Sequence, residues 1–194
     1  MSKILITAFE PFGFFRKLQG KNASKEILEK FQVSLDSNKY EFKILKVSLK
    51  GVQEFQDQLN NTDPSAVLSM GELFWYSNKV FVEPYAHNIT VSPLPVSLLS
   101  VLTKIKHLSL SAEIEHEDNP YLTDEEAKRS HIGAYYCNRV YFEGLNWSKS
   151  FEKKRPCIFL HIPVLGDRNY QTEQVKTYLE RIEKELEKEV PPNG

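Results

Sequence analysis

Short apolar runs bounded by turn formers alternate along this chain with segments whose apolar positions recur three or four residues apart. Residues 4–8 form the first such run and predict a buried strand. Asn22 or Ser24 can cap the helix that follows, in which Ile27, Leu28 and Phe31 share one face. Residues 42–49 alternate apolar and polar, as a half-exposed strand does, through Phe42, Ile44, Leu45 and Val47. A second helix carries Val52, Phe55 and Leu59 and stops before Asn60-Asn61-Thr62-Asp63-Pro64. Residues 66–70 predict a third strand that ends at Gly71.

The pattern continues with a strand over 79–87, a helix over 95–107 bearing Leu98, Leu99, Leu102 and Ile105, and a strand over 112–116. Residues 117–129 are polar and read as an inserted loop with a helical turn. The run from Pro156 to Pro163 predicts a buried strand. Val175, Tyr178, Leu179, Ile182 and Leu186 mark one stripe of a C-terminal helix over 172–189, too short for a coiled coil. Alternating strands and helices predict an α/β fold, a three-layer αβα sandwich around a mostly parallel, mixed central sheet. At 194 residues the chain suits one domain, 1–194.

Composition narrows the partners. The formal charge is −1 and acidic and basic residues are interspersed, so no basic stripe predicts nucleic-acid binding. A chain that is 41% hydrophobic and 12% aromatic can bury a core, which excludes a disordered protein. Neither an apolar signal core nor a run of roughly 20 apolar residues occurs, so the expected setting is soluble and cytoplasmic, without a membrane partner. Cys137 and Cys157 form no Cys-x-x-Cys pair, which argues against a disulfide scaffold or structural zinc. No cofactor is called for, and homo-oligomerisation is left open.

Two segments carry candidate chemistry. Cys137 closes the strand-like aromatic stretch Tyr135-Tyr136-Cys137 before Asn138, and a helix read over 139–144 would set the positive end of its dipole beside the sulfur. His161 stands at the end of the strand Cys157-Ile158-Phe159-Leu160, where open α/β sheets place their sites. A thiol with an imidazole near it in space is what nucleophilic catalysis needs, the ring taking the thiol proton and returning it to the leaving group. Cysteines also simply pack in cores, and Cys157, inside the apolar run, is read that way. His116, His131, Cys137 and His161 fit no zinc spacing.

Four segments in register resemble the pyroglutamyl peptidase I family. Thr7-Ala8-Phe9-Glu10-Pro11-Phe12-Gly13 is similar to its opening Thr-Gly-Phe-Glu-Pro-Phe-Gly-Gly, and Val82-Glu83-Pro84-Tyr85-Ala86-His87-Asn88 to its Glu-Arg-Val-Ala-Ile-Asn. Gly133-Ala134-Tyr135-Tyr136-Cys137-Asn138 resembles its Ala-Gly-Thr-Tyr-Val-Cys-Asn, and Phe159-Leu160-His161-Ile162-Pro163 its Phe-Ile-His-Val-Pro. The resemblance implies a thiol peptidase that removes N-terminal pyroglutamyl groups from small peptides with a blocked N-terminus. It implies Cys137 as nucleophile, His161 as base and then acid, and Glu83 as the carboxylate that orients the ring. Phe9 and Phe12 would hold the lactam, with Glu72 and Tyr136 as further substrate contacts.

The chain also departs from that pattern. The family's Gly-Gln-Ala-Gly-Gly-Arg stretch stands here as Gly71-Glu72-Leu73-Phe74-Trp75-Tyr76, a carboxylate replacing an amide and aromatics replacing glycines. Its long arginine-bearing loop shrinks to Ile89-Thr90-Val91-Ser92-Pro93, Phe14 replaces the second glycine of the opening motif, and 117–129 has no counterpart. Weak activity or shifted specificity follows as one expectation. A catalytically inactive protein that keeps the fold for binding or structure is the other.

Overall fold

The computed structural model describes residues 3–13, 18, 20–88, 116–118, 122–123, 125–126 and 135–188. The chain runs β1 (Ile4–Phe9), α1 (Ala23–Ser34), β2 (Tyr40–Leu45), α2 (Leu49–Thr62), β3 (Ala66–Tyr76), β4 (Phe81–Val82), β5 (Tyr85–His87), β6 (His116–Asp118), α3 (Tyr136–Lys149), β7 (Cys157–Leu165) and α4 (Arg168–Glu187). Five strands make one sheet in the order β2-β1-β3-β7-β4, with β4 antiparallel to β7 and the other pairs parallel. β5 and β6 form a separate antiparallel pair. This is the mixed, mostly parallel α/β architecture that the alternation of elements predicts.

Strand periodicity divides the interior into two layers. Ile4, Ile6, Ala8, Leu68, Met70, Ile158, Leu160 and Ile162 face α1 and α4, packing on Ile27, Leu28, Phe31, Val175, Leu179 and Ile182. Leu5, Phe9, Val67, Cys157 and Phe159 face the other way, onto Val52, Phe55 and Leu59 of α2 and Val140, Tyr141 and Leu145 of α3. Each central strand is thus apolar on both faces, which is why the strands read as near-continuous hydrophobic runs.

Local chemistry fixes where the helices begin. Asn22 Oδ1 accepts from Ser24 N and Lys25 N at 2.9 and 3.2 Å, and so caps α1. Ser48 caps α2 through the Gly51 amide, and Asp167 caps α4 through the amides of Asn169 and Tyr170. Asp63 ends α2 in the left-handed region, φ 42°. Gly51 has no alternative, since a Cβ there would stand 1.9 Å from the Lys46 carbonyl oxygen.

Several boundaries differ from the sequence reading. The strand expected over 79–87 is two strands broken at Glu83-Pro84, because proline has no N–H to continue a ladder. Cys137 does not follow a strand: α3 begins at Tyr136 and encloses it, with Tyr136, Val140, Tyr141, Gly144, Leu145 and Ser148 buried at helical spacing. β3 runs past Gly71 to Tyr76 because β7 continues to pair with it. The helix over 95–107 and all but the last residue of the strand over 112–116 lie outside the described residues. Of the inserted loop, Glu126 accepts from Tyr178 and Arg181 of α4. Among the described residues no helix is long and apolar enough to cross a membrane.

Candidate active site

The carboxyl ends of β1, β3 and β7 carry, on the α2/α3 face, Thr7 and Phe9, then Ser69 and Gly71, then Phe159 and His161. In register, Gly71 lies beside His161 on one side, and Phe81 of β4 lies beside it on the other. Thr7 Oγ1 donates to Ser69 Oγ at 2.8 Å, pairing two buried hydroxyls across the ladder. Helix α3 lays its first turn over this corner. An ideal Cβ on Gly71 would meet Cys137 Sγ at 3.0 Å and Phe159 Cζ at 2.9 Å. The missing side chain of Gly71 is therefore the space in which the sulfur sits.

Cys137, His161 and Glu83 come together although they are spread over 79 positions of the chain. Glu83 Oε1 lies 2.5 Å from His161 Nδ1, with the carboxylate wholly buried and the imidazole 4% exposed. Burial works against the charged ring. Hydrogen bonds with Cys137 and Glu83, and the negative charge on both, work for it and prevail, so the His161 pKa is pushed up to about 9. The half-buried Cys137 occupies the second position of α3, whose N-cap Tyr135 makes no side-chain capping bond and whose first turn has no acidic residue. Such a helix start leaves N–H groups, with their partial positive charge, directed past the first turn. Cys157 is the contrast: desolvation alone pushes its thiol far up, and its sulfur packs where a Cβ of Gly144 would be, 2.8 Å away.

Two side chains of α3 tie the acid-bearing segment to the sulfur-bearing helix. Tyr141 Oη donates to the Glu83 carbonyl at 2.8 Å. Asn138 closes a two-way pair with the His87 backbone, accepting from its N–H and donating to its carbonyl, both at 2.7 Å. Neither role is stated in the sequence, but the signal exists: Tyr141 stands one helical turn beyond Cys137 and so shares its face. Phe159 is a third such residue. Its ring lies between those of Tyr141 and His161, with centroids at 5.5 and 5.2 Å.

The expected substrate contacts are placed unequally. Phe9 is 2% exposed and belongs to the same core cluster as Tyr136 and Phe159, against which Cys137 packs. Phe12 is 42% exposed, so it presents its ring to solvent where Phe9 does not. Glu72 points elsewhere than the sequence suggests: its Oε2 accepts from the Ala23 amide at 2.6 Å, at the first turn of α1. The carboxylate thus takes a helix-terminal position where negative charge is favoured. Among the described residues no group of three or more His, Cys, Asp or Glu side chains could hold a metal. His131, weighed in the sequence for that role, lies outside them.

No family model matches the chain. Among curated proteins it is similar to the pyrrolidone-carboxylate peptidase of Thermococcus litoralis, with 27% identity over 184 residues, covering 87% of this chain and 79% of that one. It is similar also to pyrrolidone-carboxylate peptidase 2 of Caldanaerobacter subterraneus subsp. tengcongensis, at 26% over 180 residues, 84% of this chain and 82% of the other. Its fold matches the pyrrolidone carboxyl peptidase structure from Thermococcus litoralis with a TM-score of 0.66 at 20% identity, covering 100% and 99% of the two chains. It matches that from Pyrococcus furiosus at 0.69 and 18%, covering 95% and 99%.

Proposed function

We propose that the chain is a cysteine peptidase that hydrolyses the amide after an N-terminal pyroglutamyl residue, pyrrolidone carboxylate being the same group. The observation that carries the reading is the convergence of Cys137, His161 and Glu83 at the carboxyl ends of the sheet, with the ring bonded on either side to thiol and carboxylate. In this reading the Cys137 thiolate attacks the pyroglutamyl carbonyl. The negative charge moves to its oxygen, for which the Cys137 amide at the start of α3 is a donor. Collapse breaks the C–N bond, His161 gives its proton to the departing amine, and a thioester remains. His161, now neutral, takes a proton from water, hydroxide displaces the sulfur, and pyroglutamate leaves. Glu83 holds the ring in one tautomer and stabilises its charged form throughout.

Support for a divergent specificity comes from the strand Gly71–Tyr76. Phe74, Trp75 and Tyr76 are exposed and line, with Leu165, a hollow of about 340 Å³ at the far end of the β3/β7 pair. Glu72, by contrast, accepts from the Ala23 amide at the start of α1. The expectation is an enzyme with a high KM on small pyroglutamyl amides and some cleavage of other N-terminal amides.

The test is turnover of a pyroglutamyl reporter amide by wild type, Cys137→Ala and Cys157→Ala. Activity in wild type and Cys157→Ala, with Cys137→Ala reduced by roughly a thousandfold or more, is expected for loss of a nucleophile. No turnover of any pyroglutamyl amide or peptide by the wild type would favour the inactive, binding or structural reading.

A further inference from the structure

We propose that Tyr141 is a positioning residue for this chemistry, its hydroxyl holding Glu83 at the height where the carboxylate meets His161. The inference rests on the peptidase reading and adds to it a residue on the helix that carries the nucleophile.

Glu83 is poorly secured by its own strand. β4 has two residues, and Pro84 follows. Its amide donates to the Phe159 carbonyl at 2.9 Å, tying this edge to β7. Its carbonyl faces α3, and there Tyr141 Oη donates to it at 2.8 Å. The tyrosine is 1% exposed and Glu83 fully buried, so water does not readily replace the hydroxyl. One residue is thus fixed from two sides, by Phe159 of β7 and by Tyr141 of α3, while its side chain reaches His161 at 2.5 Å.

The same ring braces the base. Tyr141 packs on Phe159 with the rings inclined at 41°, and Phe159 meets His161 edge-on at 68°. Helix α3 therefore sets sulfur, imidazole and carboxylate together: Cys137 from its first turn, and Tyr141 from the next, in contact with the other two elements. Among the described residues the titratable groups facing His161 are Cys137 from α3 and Glu83 beyond β4. β3 and β4 offer Gly71 and Phe81 at the adjoining ladder positions.

Tyr141→Phe removes the hydroxyl and keeps the ring. Catalysis falls steeply with misplacement of about an ångström, by around a hundredfold. The expected result is a fall in kcat of roughly ten- to a hundredfold on the reporter amide, with KM within about twofold. The alkaline limb of kcat should move to lower pH, because a carboxylate that drifts from His161 holds its proton less well. NMR titration of the His161 ring in wild type and Tyr141→Phe gives the same comparison without turnover. A downward shift supports the proposal even if no pyroglutamyl substrate is cleaved, in which case only the peptidase reading fails. An unchanged His161 titration in the folded variant overturns it, whatever happens to stability.

Discussion

His161 has its ring nearly closed from solvent and a carboxylate at 2.5 Å, and this combination predicts how the protein responds to alkali. An unperturbed imidazole titrates near 6.5; here the folded value is pushed up to about 9. The ring is therefore protonated through neutral pH, and in the proposed mechanism the leaving amine would lose its acid only as pH rises through about 9. Activity should decline over that interval. In Glu83→Gln the decline should begin at lower pH, because a neutral amide no longer favours the imidazolium. The same shift bears on folding. A folded value above the unfolded one means that pairing stabilises the native chain fully below about pH 6.5, and that this contribution is lost as pH rises through about 9. Denaturant midpoints of wild type and Glu83→Gln at pH 6 and pH 10 test it: the gap between the two proteins should narrow at the higher pH. An unchanged gap would show that the ring carries no extra proton in the folded state.

At the scale of elements, the crossing of α3 over β3 is set by an absence. Gly71 has no side chain, and Cys137 Sγ and Phe159 fill the place. Gly71→Ala puts a methyl group about 3 Å from both, which requires the helix start or the ring to shift. We expect a stability cost of about 1–3 kcal/mol for overpacking and a loss of kcat of at least about tenfold from the displaced sulfur. Full activity in Gly71→Ala would show that the first turn of α3 yields freely. The sequence singled out this glycine, but as the end of a strand that runs on to Tyr76, and it disclosed the thiol, the imidazole and, through family resemblance, the carboxylate. It did not disclose what joins them. Tyr135-Tyr136-Cys137 reads as strand because aromatic residues favour strands, and only burial at 136, 140, 141, 144 and 145 shows the helical period. The split at Pro84 was legible from proline chemistry and was overridden by the apolar run around it. Contacts such as Tyr141 with Glu83 span 58 positions, and no local pattern encodes them.

Across the molecule, the sheet separates two apolar layers, and the candidate site belongs to the one formed with α2 and α3. The layer under α1 and α4 supports the sheet from the opposite face. Leu179→Ala in that layer should cost about 2–5 kcal/mol of stability, yet leave kcat/KM of the folded protein unchanged at low temperature. A large kinetic defect would show that strain crosses the sheet. The projecting end of β3 has a different use. Trp75 is 63% exposed, whereas Trp147, the other tryptophan, packs against Phe151 and Arg155. Trp75 also lies four residues from Gly71 on one strand, roughly 13 Å at about 3.3 Å per residue. The chain thus carries a native fluorophore, accessible to a soluble quencher, on the same strand as the glycine beneath the sulfur. A ligand that settles beside Cys137 and reaches along that strand would announce itself as light, shifting the Trp75 emission and shielding it from acrylamide while Trp147 serves as the internal standard.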